Sequence, residues 1–230
     1  MRGDRIAAVL AETSLFSDLD DGARRALTPE FVPRTYRKGD LVFCQGDQGE
    51  SLFIVAEGLV KLSLVSLEGG EMVLATIRPP SVFGELALLD GGPRTASARA
   101  LQATTLLALT RPSFIRVLLD NPRLADALHR SLGAIIRRTL QQASDLVFLD
   151  LPGRVAKLLL ALAGEQGQEV EGGIRLDLDV TQTTLAGMVG GSRPSVNQVL
   201  RSFQGRGLLE LSGREILIRD LEGLRRRAEI

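Results

Sequence analysis

Between Phe31 and about Thr110 the apolar positions come in short runs: Leu41-Val42-Phe43, Leu52-Phe53-Ile54-Val55, Leu59-Val60-Lys61-Leu62, Met72-Val73-Leu74 and Leu106-Leu107-Ala108-Leu109. Glycine turns at Gly39, Gly46, Gly49, Gly58, Gly69-Gly70 and Gly91-Gly92 separate them. Short runs at regular spacing with turn residues between them predict a small antiparallel barrel or sandwich. Residues 1–30 predict short amphipathic helices broken at Ser14, Asp18 and Gly22.

After the strands the period changes. Pro112 opens a helical region and Pro122 restarts it; from Arg123 to about Leu149 only Gly133 interrupts good helix formers. Leu128, Leu132, Ile135, Thr139, Gln142 and Leu146 follow alternating steps of four and three, apolar at the ends and polar in the middle. That is a heptad seam. It packs either on its own domain or on a second copy, and its narrowness between polar faces favours the second copy. Asp150-Leu151-Pro152-Gly153 breaks the helix and marks the best domain boundary. Beyond it the pattern predicts a helix from Arg154 to Ala163, a strand from Ile174 to Leu178, helices over Gln182–Val189 and Arg193–Gln204, and a hairpin of Leu208–Leu211 with Glu215–Ile218 turning at Ser212-Gly213. Arg225-Arg226-Arg227 reads as a solvated helix end.

The 230 residues suffice for one large domain or two modest ones, and 44% hydrophobic with 24% charged residues is ordinary for a globular chain. Asp4, Arg5 and Glu12 interrupt the opening apolar stretch, so no secretory pattern is expected. The most apolar segment, Val155 to Ala163, contains Lys157 and is too short to cross a bilayer. With one cysteine, Cys44, the chain forms no internal disulfide and no Cys-based zinc or iron–sulfur cage. A cytoplasmic protein without a membrane anchor is expected, with Cys44 a small core residue of a strand. No nucleophile elbow, histidine metal cluster or Walker loop is present, which argues against an enzyme.

The formal net charge is +0, so nucleic-acid binding requires a local patch. The C-terminal third contains one. Between Val180 and Leu209 stand three arginines and no acid. Thr181 and Ser192 are suited to cap two helices, with Gly190-Gly191 supplying the tight turn between them. In the second helix Val196, Val199, Leu200 and Phe203 define a buried face, and Arg193, Ser195, Asn197, Gln198 and Arg201 the opposite one. Those side chains suit base edges and phosphates. Two amphipathic helices and a hairpin also describe an ordinary α+β subdomain, but the glycine turn, the acid-free face and the following hairpin together favour a winged helix-turn-helix. Arg201 is a stronger candidate for phosphate contact than Arg206.

A second constellation lies in the strand region, FGELALLDGGPRTASARA from Phe83 to Ala100. Gly84-Glu85-Leu86 offers backbone N–H groups in a bend, which attract anions. Arg94 and Thr95 follow the Asp90-Gly91-Gly92-Pro93 turn and bring a guanidinium fork and a hydroxyl. A carboxylate cannot face a phosphate, but it accepts from a sugar hydroxyl. An acid and an arginine flanking one turn therefore suit a sugar phosphate. Taken alone, Glu85 and Arg94 read better as an ion pair stabilising the turn.

These pieces, in this order, resemble the CRP/FNR family of transcription regulators across nearly the whole chain. The resemblance rests on KGDLVFCQGDQGESLFIVAEGLVKL (Lys38–Leu62), FGELALLDGGPRTASA, FLDLPGRVAKLLLALA (Phe148–Ala163) and GMVGGSRPSVNQVLRSFQGRGLLEL (Gly187–Leu211). It implies an α+β fold: a cyclic-nucleotide-binding β-roll (double-stranded β-helix or jelly-roll) over 1–121, a dimerisation helix over 122–149 and a winged helix-turn-helix over 150–230. Gly84, Glu85 and Leu86 would line the nucleotide pocket, with Glu85 on the ribose 2′-hydroxyl. Arg94 and Thr95 would hold the cyclic phosphate, and Thr139 matches an adenine-contacting position. The effector implied is cAMP, with no other cofactor and no metal. The partners implied are double-stranded DNA with a near-palindromic operator, a second copy through residues 124–146, and RNA polymerase. Thr181, Ser192, Arg193, Ser195, Asn197, Gln198 and Arg201 would form the DNA interface, with recognition helices entering grooves roughly 34 Å apart.

Three positions depart from the family pattern. Leu140 replaces a small polar residue that adds an adenine contact from the partner chain. Pro194 and Gln198 stand where cAMP-type members carry base-reading Glu and Arg, so a different operator is expected. His129 reads as a packed or solvated residue rather than a haem ligand. Two alternatives stay open: a family member that binds DNA constitutively or answers to cyclic di-GMP, and a cyclic-nucleotide signalling module with no DNA role.

Overall fold

The computed structural model describes residues 3–229, which fall into two compact units dividing between Arg137 and Arg138. The first opens with α1 (Gly3–Glu12), α2 (Asp21–Leu27) and a 3-10 turn, Thr28–Glu30. Gly22 does not break this region as expected. It lies inside α2, because Asp20 caps that helix by accepting from the Ala23 N–H at 2.8 Å.

The strands follow: β1 (Val32–Tyr36), β2 (Leu41–Phe43), β3 (Ser51–Glu57), β4 (Val60–Val65), β5 (Glu71–Ile77), β6 (Val82–Phe83), then helix α3 (Leu86–Asp90), β7 (Ser97–Ala100) and β8 (Thr104–Thr110). They form two antiparallel sheets ordered β1-β8-β3-β6 and β2-β7-β4-β5. β3 and β8 are the most continuously apolar strands because both their faces are covered. Phe53, Val55, Leu106 and Ala108, with Phe83 of the same sheet, meet Val60 and Ala98 of the second. Leu52, Ile54, Leu107 and Leu109 meet the helices, with Leu10, Phe16, Leu27 and Phe114. The expected barrel is present. Its edge strand β1 gave no apolar pattern because four of its five residues are exposed, and β7 buries only Ala98 and Ala100. Cys44, expected in the core, is exposed: β2 ends at Phe43, and the Cys44 N–H turns to the Asp47 carboxylate at 2.7 Å.

Two helices close the unit, α4 (Arg111–Asp120) and the long α5 (Pro122–Phe148), each starting at or beside a proline as a first helical turn tolerates. Leu124, Ala127 and Leu128 of α5 are buried in the same cluster as Leu52 and Phe114, with Leu132 packed against it. The beginning of the expected two-chain seam therefore packs on its own domain. Further along α5, Leu146 of the expected seam is 42% exposed, and a neighbouring stripe one residue on is exposed as well: Ile136, Leu140 and Val147 at 59%, 65% and 74%. Gly133 and Ala143 complete its steps of three and four.

The second unit contains α6 (Leu151–Gln166), β9 (Gln168–Val170), β10 (Gly173–Asp177), α7 (Gln182–Met188), α8 (Arg193–Gly205), β11 (Leu209–Ser212), β12 (Glu215–Ile218) and α9 (Leu221–Ala228). The strands order as β11-β12-β10-β9. One core joins Val155, Leu159, Leu185, Val196, Leu200, Phe203, Ile216 and Leu224. α6 starts three residues before the expected Arg154, because Asp150 caps it through the Gly153 N–H (2.8 Å) and Pro152 sits in the first turn. No helix among the described residues is long and apolar enough to cross a membrane.

Candidate functional site

The pocket is assembled where β6 ends. Gly84 takes φ +79°, and a Cβ there would lie 2.8 Å from Arg94 Nη1, so only glycine permits both the turn and the approach. Arg94 is 5% exposed and deeply tied. Its Nη1 donates to the Gly84 carbonyl at 2.7 Å and its Nη2 to the Ser51 carbonyl at 2.6 Å. Its backbone N–H donates to Asp47 O (2.8 Å), and its carbonyl accepts from the Gly46 N–H (2.9 Å). The turn before it is set by Asp90, which accepts from the Gly92 N–H at 2.8 Å, and by Gly91 at φ +73°. Gly49 matters for the same reason as Gly84: a Cβ there would meet the Ala87 Cβ at 2.2 Å, so α3 could not pack on this turn.

Glu85 is 6% exposed, and burial pushes its carboxyl above the usual carboxylate range while Arg94 pulls it down. Burial likewise lowers the Arg94 guanidinium, against the pull of Asp47 and Glu85. No ion pair among the described residues joins the two, which corrects the turn-stabilising alternative. Instead Glu85 Oε2 and Arg94 Nε are both buried without a hydrogen-bond partner. An unpaired buried acceptor beside an unpaired buried cationic donor costs stability. A ligand offering a hydroxyl to one and an anionic oxygen to the other satisfies both. The structure thus brings together Gly84, Glu85, half-buried Leu86 at the start of α3, and Arg94, with exposed Thr95 adjoining. Thr139 is exposed on α5 within the second unit. Phe43, Phe53 and Ser51 surround Arg94 as well, and the strand pattern marks the two rings only as apolar.

The raised Glu85 carboxyl makes stability depend on pH. A carboxyl whose folded pKa is raised favours folding most below the ordinary range, and that contribution is lost as pH rises through the raised value. Glu85→Gln removes the charge. The ligand-free variant is expected to melt above the wild type at pH 8 and to approach it at pH 5, as thermal denaturation at the two pH values will show.

In the second unit, α7 and α8 form the helix-turn-helix. Thr181 Oγ1 accepts from the Thr184 N–H at 3.1 Å and Ser192 Oγ from the Ser195 N–H at 3.2 Å. The turn between them uses Gly190 at φ +61°, and Gly191 where a Cβ would lie 2.7 Å from Leu151 Cδ1. Thr181 and Ser192 thus serve the backbone, and the Ser195 hydroxyl is engaged with Ser192 at 2.8 Å. Arg193, Pro194, Asn197, Gln198 and Arg201 line one open groove on α8. Arg193 and Arg201 are exposed, with no carboxylate partner among the described residues. The wing is β11–β12, with exposed Arg214 beside its tip.

What holds this element is not legible in the sequence. Arg154 donates from Nε to the Val189 carbonyl (2.8 Å), where α7 ends, and from Nη1 to Leu149 O (2.7 Å), just past α5. Asp150 pairs with Arg227 of α9 at 2.5 Å, and Lys157 with Asp145 at 2.6 Å. The Gly153 N–H and Arg227 hold the Asp150 carboxyl below the usual range.

Comparison with known proteins bears on both halves. Residues 33–121 match the cyclic nucleotide-binding domain family and residues 153–227 the Crp-like helix-turn-helix domain family. The chain is 38% identical over 220 residues to the CRP-like cAMP-activated global transcriptional regulator of Mycobacterium tuberculosis, covering 96% of this chain and 98% of that one. This chain belongs to the CRP/FNR family. It is also 34% identical over 194 residues to the cyclic AMP receptor protein of Thermus thermophilus, covering 83% and 85% of the two chains. Among solved structures, the c-di-GMP-responsive global regulator CLP of Xanthomonas campestris superposes with a TM-score of 0.77 at 26% identity, over 86% of this chain and 99% of that one. The protein is therefore a CRP/FNR-family DNA-binding transcription regulator with a cyclic-nucleotide-binding domain and a helix-turn-helix.

Proposed function

We propose that this CRP/FNR regulator is switched by cAMP bound in the β-roll, with Arg94 and Thr95 on the cyclic phosphate, Glu85 on the ribose and the Gly84-Glu85-Leu86 bend on the anion. The observation that carries the proposal is the pair of buried, unpartnered atoms, Glu85 Oε2 and Arg94 Nε. They demand the complementary functions a ribose phosphate offers. Thr139 adds a base contact. Occupancy shifts the dimer toward the DNA-competent state only as far as cAMP binds that state more tightly. The test is DNA binding by fluorescence anisotropy with and without cAMP, cGMP and cyclic di-GMP, alongside calorimetry. cAMP is expected to raise DNA affinity at least tenfold, and no response to cAMP overturns the assignment.

The protein acts in the cytoplasm as a homodimer along α5, within residues 124–146 and onward to Val147, and catalyses no reaction. Its two copies of α8 enter successive major grooves of a near-palindrome, and the bound dimer meets RNA polymerase there. Arg193, Asn197 and Gln198 face bases, Arg201 faces phosphate, and Thr181, Ser192 and Ser195 fix the helix N-termini against the backbone. Pro194 has no N–H to donate, and its ring lies among the groove residues, so the operator differs from one read by a glutamate at that place. Arg201→Ala is expected to weaken binding to all sequences alike and to reduce the salt slope by about 0.9 for each phosphate the dimer no longer neutralises. An unchanged slope would show that Arg201 faces no phosphate.

A second reading is favoured by Leu140, an exposed leucine where cAMP-type members carry a polar residue. An apolar seam there stabilises the competent dimer without ligand, or removes an adenine contact and so favours a different effector such as cyclic di-GMP. The same titrations separate these cases.

A further inference from the structure

Arg94 is held in two ways. Its Nη groups donate to the Gly84 and Ser51 carbonyls at 2.7 and 2.6 Å. Its guanidinium carbon also lies 4.2 Å from the centroid of the Phe43 ring and 5.7 Å from that of Phe53. Phe43 is itself braced. Its ring centroid is 5.9 Å from Phe53 and 6.0 Å from Phe83, and those two are 5.4 Å apart, stacked at 22°. Phe53 and Phe83 pair across β3 and β6 of one sheet and are buried, whereas Phe43 comes from β2 of the other. The three rings thus form a block spanning the roll, with the guanidinium on its outer ring.

We propose that Phe43 is a positioning residue for the anion-binding arginine: the aromatic block holds the guanidinium flat and leaves Nε free for an anionic oxygen of the ligand. This rests on the reading of the pocket as a cyclic-nucleotide site. Guanidinium is weakly hydrated and stacks well on an aromatic face, where the ring quadrupole attracts it. A long arginine side chain otherwise loses its rotamer freedom when the ligand arrives; one already fixed does not. The two carbonyls fix only the Nη end. The ring fixes the plane, and the plane sets where the Nε–H points. An aliphatic side chain at position 43 fills the same space without that field.

The test uses the full-length protein. Phe43 is replaced by 4-fluoro-, 3,5-difluoro- and 3,4,5-trifluorophenylalanine, which deplete the ring face while nearly keeping its size, and separately by leucine and tyrosine. cAMP affinity is measured by calorimetry. The Arg94 Nε–H resonance of the ligand-free protein is followed by NMR. Affinity is expected to fall stepwise along the fluorinated series, to drop about tenfold in Phe43→Leu and to be largely kept in Phe43→Tyr. The Nε–H signal should be shifted upfield in the wild type and relax toward the ordinary arginine position in Phe43→Leu. A role confined to packing predicts equal affinity across the fluorinated series, and that result overturns the proposal. If the wild type binds no cyclic nucleotide, the effector assignment falls. The Nε–H shift then decides on its own: an unshifted wild-type signal rejects the positioning role, and a shift that disappears in Phe43→Leu supports it.

Discussion

Arg94→Leu is expected to abolish ligand-stimulated DNA binding while leaving the dimer and its basal DNA binding in place. The guanidinium is held at the Gly84 bend, and its Nε is buried without a partner. Each charge-assisted hydrogen bond contributes about 1.5–3 kcal/mol. Losing the one that Nε offers to a phosphate weakens cyclic-nucleotide binding by at least about tenfold, before the loss of the charge itself. Leucine also leaves the Gly84 and Ser51 carbonyls without their donors, at about 1–3 kcal/mol for each buried carbonyl left unpaired. The ligand-free variant should therefore melt at lower temperature, and the basal DNA binding serves as the check that it is folded. Calorimetry with cAMP and anisotropy with operator DNA read the two effects. A variant that still answers to nucleotide as the wild type does removes Arg94 from the pocket.

The second large effect is expected at Leu140. Its side chain is 65% exposed in the protomer, in line with Ile136 and Val147 on α5. A symmetric dimer brings the same stripe from two copies together. Burying a leucine stabilises by about 2 kcal/mol, so Leu140→Asp, acting twice per dimer, weakens dimerisation by about a thousandfold before any repulsion between the two carboxylates. The protomer should keep its circular dichroism spectrum, since Leu140 packs on little of its own chain. Sedimentation should show monomers at micromolar concentration, and operator affinity should fall with them because each monomer reads only a half-site. A dimer as tight as the wild type would move the interface off this face.

Much of this was legible from residue order. The runs around Leu52 and Leu106 fixed two strands of the roll, because a strand covered on both faces must be apolar throughout. The capping threonine and serine, the glycine pair and the four apolar positions of α8 located the helix-turn-helix for similarly local reasons. The pocket was readable as a composition, an acid and an arginine about one turn, but not as a geometry. Whether Glu85 and Arg94 paired with each other or waited for a third group depended on where Ser51 and Gly84 place their carbonyls, and Ser51 is 43 residues away along the chain from Arg94. Phe43 carried no signal of its own, since a phenylalanine in a strand is first of all a core residue.

The register of α5 shows the division most plainly. Sequence alone determined that a long helix with an apolar heptad stands between the roll and the DNA-reading unit, because periodicity is a property of neighbours along the chain. It offered one stripe and two coverings for it, the chain's own domain or a second copy. Only the tertiary structure decided between them, by burying Leu124, Ala127 and Leu128 against the roll's own core and leaving Ile136, Leu140 and Val147 in solvent. Which face of an amphipathic helix is spent within the domain depends on what else the domain has left uncovered, and that is set by contacts distant in sequence.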